Sequence, residues 1–299
     1  MTKGIIIFAR NNENYNYAKM AVVCAGFVRN NLKKFDEICL VTDEFTYSSN
    51  KDIIDNAFDR VIEQDELNAT GNTRRYQDTS GNMIPTTWKN LDRSDVYKIS
   101  PYDETLVIDA DYFIMSPTLD NVWGSSNDFM INSQYRDVAG RHEHEVLYLD
   151  DFTIPMVWAT VFYFKKSEYV ENLFTIIDMI KKNYQYYCAL YNAPRGLYRN
   201  DFVFSMALHI LNASIPNSVP TLPIEYINNS FDLDDIFRVN TANEIIMYLA
   251  RKQDNRDFIL GLFNNIDLHI MNKNAIDRHY DDFMKYLFTK QEEKEEATV

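Results

Sequence analysis

Glycine is scarce, with eight in 299 residues, and none of them builds a phosphate loop. Neither G-x-G-x-x-G nor G-x-x-x-x-G-K-[ST] occurs, which excludes simple dinucleotide-binding and P-loop readings. Proline is equally scarce at eight, and 46% hydrophobic and 25% charged residues describe an ordinary globular chain. Collagen-like and wholly disordered classes are thereby excluded. Only three cysteines occur, Cys24, Cys39 and Cys188, widely spaced and without C-x-x-C. An odd, scattered set argues against a disulfide framework and for buried thiols in a reducing compartment, so a cytoplasmic location is expected. The first apolar strand opens at Gly4, and no signal peptide is expected ahead of it. The longest apolar run, residues 154–164, is too short to span a bilayer. Positive charge is also in deficit: 30 Lys+Arg against 44 Asp+Glu leave a net charge of −14. Such a surface repels phosphates and disfavours nonspecific coating of nucleic acid.

What is present reads as an α/β chain. Residues 4–9 (GIIIFA) suit a strand buried on both faces, and the spacing of Ala18, Ala21, Val22, Ala25 and Val28 predicts a helix over 15–32. A second strand over 37–42 (EICLVT) ends at Asp43, followed by a helix over 52–58 and a strand over 60–63. A βαβαβ opening predicts a mostly parallel sheet with right-handed crossovers. Residues 66–85 are polar, contain Arg74-Arg75, and read as a long loop. A helix is expected over 88–99, stopped by Pro101, then a strand over 105–108. Strands are expected over 129–132 and 156–164, and helices over 166–184, 198–211, 242–251, 256–263 and 275–288. Residues 219–226 look irregular, 267–270 form a short apolar stretch, and the tail 291–299 is expected to be disordered. No repeat or Gly/Ser linker divides the chain, so one domain over residues 1–290 is expected.

The chemistry-bearing feature is Leu106-Val107-Ile108-Asp109-Ala110-Asp111. Two carboxylates two residues apart point the same way in extended geometry and can hold one hard divalent cation. Ligand sites in open α/β sheets lie at the carboxyl ends of strands. An isolated D-x-D could equally be a strand-ending turn with solvated acids.

The run from Arg93 to Asp111 (RSDVYKISPYDETLVIDAD) resembles the metal-binding region of GT-A glycosyltransferases, particularly the glycogenin-like retaining enzymes. The opening IFARNNENYNYAKMAVVCAGFVRNNL resembles that family's first strand, nucleotide-contacting turn and first helix. Asp267-Leu268-His269-Ile270-Met271-Asn272-Lys273 resembles its late strand. The resemblance implies a GT-A, Rossmann-like, mostly parallel sheet flanked by helices, with further helices at the C-terminus. It implies metal ligation by Asp109, Asp111 and His269, suited to Mn²⁺ more than Mg²⁺. The metal would neutralise the departing diphosphate, with help from Lys273 and Arg93, and Asp109 would also touch the ribose of a nucleotide-sugar donor, read as a UDP-sugar. Ala9, Asn11 and Tyr15 or Tyr17 would line the base pocket, Asp43 could accept from the base, and Asp201 would place the acceptor or stabilise charge on the sugar. Arg93 stands where the family more often has Lys. The family's longer, glycine-containing His-to-Lys stretch is here His-x-x-x-Lys, its Asn-Ser-Gly is replaced by Trp158-Ala159-Thr160, and its Asp-Gln by Asp201-Phe202.

Each residue also has a plain structural reading. His269 could be a satisfied core histidine, Asp201 a helix N-cap, and Tyr15 and Tyr17 packing residues. His142-Glu143-His144-Glu145 reads as an exposed polar segment. Residues 165–199 carry six cations (Lys165, Lys166, Lys181, Lys182, Arg195, Arg199) against Glu168, Glu171 and Asp178, interleaved with tyrosines. This is either an amphipathic helix with a Tyr-rich packing loop or a groove for an anionic acceptor. Acceptors left open are a saccharide, a protein and a modified nucleic-acid base. The competing functions are a sugar-nucleotide nucleotidyltransferase and a non-catalytic nucleotide-sugar-binding module. The first usually carries a Gly- and Arg-rich loop where this chain has Arg10-Asn11-Asn12-Glu13-Asn14-Tyr15.

Overall fold

The computed structural model describes residues 1–64, 72–77, 83–89, 91–142, 146–150, 154–194, 196–213, 215, 219–251 and 257–288. In chain order the first elements are β1 (Lys3–Phe8), α1 (Tyr17–Asn31), β2 (Glu37–Thr42), α2 (Glu44–Ser49), α3 (Lys51–Ala57) and β3 (Arg60–Glu63). They continue with β4 (Asn72–Gln77), β5 (Met83–Trp88), α4 (Val96–Ile99), β6 (Glu104–Asp109), β7 (Tyr112–Phe113), β8 (Phe129–Ile131), β9 (Tyr135–Asp137) and β10 (Val161–Lys165). The remainder is α5 (Glu168–Lys182), α6 (Tyr184–Leu190), α7 (Asn200–Leu211), β11 (Ile227–Ser230), β12 (Asp235–Thr241), β13 (Glu244–Ala250), β14 (Phe258–Asn264), β15 (Leu268–Ile270), α8 (Lys273–Arg278) and α9 (Tyr280–Leu287).

The central sheet runs β3-β2-β1-β6-β10-β8. The pairs β3–β2, β2–β1 and β1–β6 are parallel, and β10 runs antiparallel to both neighbours. The sheet separates two apolar layers because successive side chains of a strand point to opposite faces. Ile5 and Ile7 of β1 pack into the layer of α1 and α9, whereas Ile6 and Phe8 join the layer of α5 and α7. Helix α1 starts where Asn16 accepts from Lys19 N, and small residues (Ala18, Ala21, Ala25) let its buried face lie close to the sheet. Gly4 is required by close approach: a Cβ there would meet the ring of the buried Tyr102. A second sheet, β7-β15-β11-β9, lies across the carboxyl end of β6 and carries half of the site.

The mostly parallel α/β sheet and the C-terminal helices match expectation, but several element assignments need correction. The expected helices over 242–251 and 256–263 are strands β13 and β14 of an antiparallel sheet β12-β13-β14; Arg256 lies outside the described residues. Ile245, Met247 and Leu249 face the core while Ile246 and Tyr248 face outward, a period of two hidden inside an unbroken apolar run. The expected loop over 66–85 contains the hairpin β4–β5. Trp88 ends β5, and the expected helix over 88–99 reduces to a 3₁₀ turn (Leu91–Asp95) and α4. The expected strand over 156–164 begins only at Val161. The expected loop of tyrosines contains α6, and the last helix is broken at His279 into α8 and α9. Residues 291–299 and Glu143-His144-Glu145 lie outside the described residues. Among the described residues no helix is long and apolar enough to cross a membrane. All three cysteines are buried and free, and burial raises the thiols of Cys24 and Cys39.

Candidate metal and nucleotide-sugar site

Strand β6 is buried along its length and delivers Asp109 at its carboxyl end. The chain turns at Ala110-Asp111 into β7, which pairs antiparallel with β15 so that His269 lies opposite Tyr112. Ile270 N donates to Asp111 O at 2.9 Å and ties the turn to β15. Residues about 160 positions apart in sequence are thereby brought together: ligand atoms of Asp109, Asp111 and His269 all lie within 4.8 Å of one another. Just past β15, Asn272 caps α8 by accepting from Ala275 N, which fixes Lys273 at the first helical position.

The two carboxylates are held by cations. Lys273 Nζ donates to Asp111 Oδ2 at 2.7 Å, and Arg93 contacts Asp109 while its Nη1 donates to Ala159 O at 2.6 Å. Burial alone would raise the Asp111 carboxyl, but Lys273 and His269 overcome it and hold it well below the usual carboxylate range. Burial pulls the Arg93 guanidinium down to about 10 against the pull of Asp201 and Asp111, so it is charged at neutral pH.

His269 is oriented by a residue outside every candidate motif. Asn229 of β11 lies opposite it in the parallel β11–β15 register, and its Oδ1 sits 2.9 Å from Nδ1. An amide oxygen only accepts, so this contact keeps the proton on Nδ1 and turns Nε2 toward Asp111 Oδ1, 3.4 Å away. Nε2 is thereby the ring atom left to ligate a cation held beside Asp111. Two carboxylates and one imidazole therefore fit a divalent cation, with Asn229 orienting the nitrogen ligand. Asn229→Leu is expected to weaken Mn²⁺ affinity by about 10–100-fold. Titration calorimetry on both proteins measures it, with circular dichroism as the control for folding.

Asp267, two residues before His269, has a different task. Its Oδ1 accepts from Met115 N at 2.9 Å and Ser116 N at 2.8 Å, and burial pushes its carboxyl up to about 6 from an ordinary 3.8. A folded-state value above the unfolded one means stability that is complete below about pH 4 and is lost as pH rises through about 6. The shift corresponds to about 3 kcal/mol. Asp267→Asn keeps the accepting oxygen, and denaturant titrations from pH 4 to 7 should show wild-type stability falling relative to it across that window.

The site floors a cavity of about 680 Å³. Of the predicted residues, Tyr17, Arg93, Asp109, Asp111, Asp201, His269 and Lys273 line it. Ala9, Asn11, Tyr15 and Asp43 are not among the lining residues. Ala9 N donates to Val41 O within the sheet layer, Asn11 accepts from Ala18 N, and Asp43 caps α2 by accepting from Thr46 N. Tyr15 packs edge-on against Tyr17, their rings 6.2 Å apart. Asp201 lies in the first turn of α7 rather than at its N-cap; it accepts from Ala159 N at 3.0 Å and from Arg199 Nη2 at 3.1 Å, joining α7 to the segment before β10. Trp88, Trp158, Arg199, Phe202, Asp232 and Met271 complete much of the wall.

Four of the cations in the basic stretch 165–199 are engaged away from the cavity, while Pro194, Gly196 and Leu197 at its end line it. Lys165 and Lys166 bond the carbonyls of Ser125 and Tyr97, Lys181 bonds Ser94, and Lys182 pairs with Asp178. Of its cations that are described, Arg199 lines the cavity; Arg195 lies outside the described residues.

No protein-family model matches the sequence, and no curated protein matches it. Solved structures do resemble it. One is the glycosyltransferase GlyE of Streptococcus pneumoniae TIGR4, at 11% identity and TM-score 0.42 over 74% of this chain and 45% of that one. Another is mouse xyloside xylosyltransferase 1, at 13% identity and TM-score 0.44 over 72% of this chain and 83% of that one. A third is 4-diphosphocytidyl-2C-methyl-D-erythritol synthase from Anaerococcus prevotii DSM 20548, at 12% identity and TM-score 0.40 over 74% of this chain and 86% of that one. The chain thus spans less than half the length of GlyE.

Proposed function

We propose that the protein is a metal-dependent glycosyltransferase that moves a sugar, with retention, from a nucleotide-sugar donor, specifically a UDP-sugar, to an acceptor. The observation that carries this reading is the convergence of Asp109, Asp111 and His269 on the floor of a large cavity that Arg93, Lys273 and Asp201 also line. A divalent cation, Mn²⁺ in this reading, held by those three side chains supplies Lewis-acid neutralisation of the departing diphosphate. Lys273 and Arg93 are placed to exchange their present carboxylate partners for phosphate oxygens, which adds positive charge where negative charge develops. Tyr17 offers a ring to the base. Asp201, fixed by Ala159 N and Arg199, offers a carboxylate to the acceptor hydroxyl or to positive charge on the sugar. Trp158, Phe202 and Arg199 supply an acceptor end that is apolar and polar together, and a saccharide or protein acceptor fits it better than a polyanion.

The test is a screen of nucleotide sugars by thermal shift with and without Mn²⁺, followed by product analysis. Stabilisation by one donor only when Mn²⁺ is present, and release of a nucleoside diphosphate, support the proposal. Release of pyrophosphate would assign a nucleotidyltransferase instead, and Mn²⁺-dependent binding without turnover on any acceptor would assign a binding module.

A further inference from the structure

The sheet β12-β13-β14 carries an apolar outer face that the site does not use. Leu260 and Leu262 are 60% and 61% exposed, and Tyr248 and Phe237 beside them are 39% and 43% exposed. Their adjacency follows from the register, which sets Tyr248 opposite Leu260 and Ile246 opposite Leu262, and from the 4.9 Å between the rings of Phe237 and Tyr248. Strand β12 is flanked by α8 and α9, but among the described residues no strand pairs with the outer edge of β14.

A free strand edge is a template for another strand, and folded proteins blunt such edges with charge or proline. Among the described residues, the β3 edge of the central sheet obeys this rule, since β3 carries the exposed Arg60 and Glu63. Strand β14 (FILGLFN) has neither a charge nor a proline over seven residues in a chain of net charge −14. Two copies that repel each other over most of their surfaces can meet where charge is absent. The strand also reads nearly the same in both directions about Gly261, with Leu260 and Leu262 on one face and Ile259 and Phe263 on the other. An antiparallel pair related by a two-fold axis needs this self-complementarity.

We propose that β14 is a homodimer interface, in which a second copy pairs its own β14 antiparallel about a two-fold axis at Gly261. Leu260 of each copy then lies opposite Leu262 of the other, and the two three-stranded sheets become one of six strands.

The test is sedimentation equilibrium of the full chain over a wide concentration range. Wild type should sediment as a dimer. The exposed-site variant Leu260→Lys with Leu262→Lys places like charges opposite each other and should raise the dimer dissociation constant by about a hundredfold or more. Mixing the single variants Leu260→Lys and Leu262→Glu should restore dimerisation, because this register sets the two new charges opposite one another. A monomeric wild type, whether the edge is open or covered by the chain's own residues 289–299, overturns the proposal. So does a dimer unaffected by the double variant, or a failure of the mixed pair to associate better than Leu260→Lys alone.

Discussion

Asp111→Asn is expected to lower Mn²⁺-dependent turnover of a nucleotide-sugar donor by about 10³-fold, because it removes one of the two charged groups proposed to hold the cation. It should also cost stability. Asp111 and Lys273 are each about nine-tenths buried and pair at 2.7 Å, so the amide leaves a buried ammonium without its counter-charge. Breaking one side of such a pair costs about 3–5 kcal/mol. The lower end is expected because Lys273 also donates to Met271 O. The two effects separate in Asp111→Asn combined with Lys273→Met, which removes both charges: stability should largely return and turnover should not. Chemical denaturation and steady-state kinetics on wild type and these two variants read both. Recovery of activity with stability would mean that Asp111 acts through folding alone.

Arg93→Met should be the second most damaging change. The guanidinium is 4% exposed, contacts Asp109 and donates to Ala159 O at 2.6 Å, so removing it strands a carboxylate and a carbonyl together. A loss of about 3 kcal/mol is expected, visible as a lower Tm. Because a divalent cation at Asp109 would supply the missing positive charge, the loss should shrink when Mn²⁺ is added. Arg93→Lys keeps the charge but not the two-pronged reach to Asp109 and Ala159, and should fall between. An equal loss in Mn²⁺ and in EDTA would argue that Asp109 binds no metal.

The parts of the fold legible in the sequence are those whose burial is two-sided. GIIIF and EICLVT are short, β-branched and uninterrupted, and they became β1 and β2. Residues 242–263 misled because an apolar run in a one-sided sheet can mimic a helix when cross-strand register is unknown. At the site, a strand running into Asp109-Ala110-Asp111 was readable directly, and His269 through family resemblance. Asn229 was not readable, since its role depends on a parallel register between β11 and β15 that no local pattern encodes. The one hint was three polar residues in the INNS of β11, two of them buried where a strand should be apolar. Asn11 and Asp43 have a structural task beside the one expected of them, since each accepts from a first-turn N–H, of α1 and of α2 respectively.

The most direct test of the metal-dependent reading is a calorimetric titration of UDP into the full chain, in Mn²⁺ and in EDTA, with wild type and Asp111→Asn side by side. Saturable binding to wild type in Mn²⁺, and none in EDTA or with the variant, is the expected result. Equal UDP binding with and without Mn²⁺, or undiminished binding by Asp111→Asn, would contradict it.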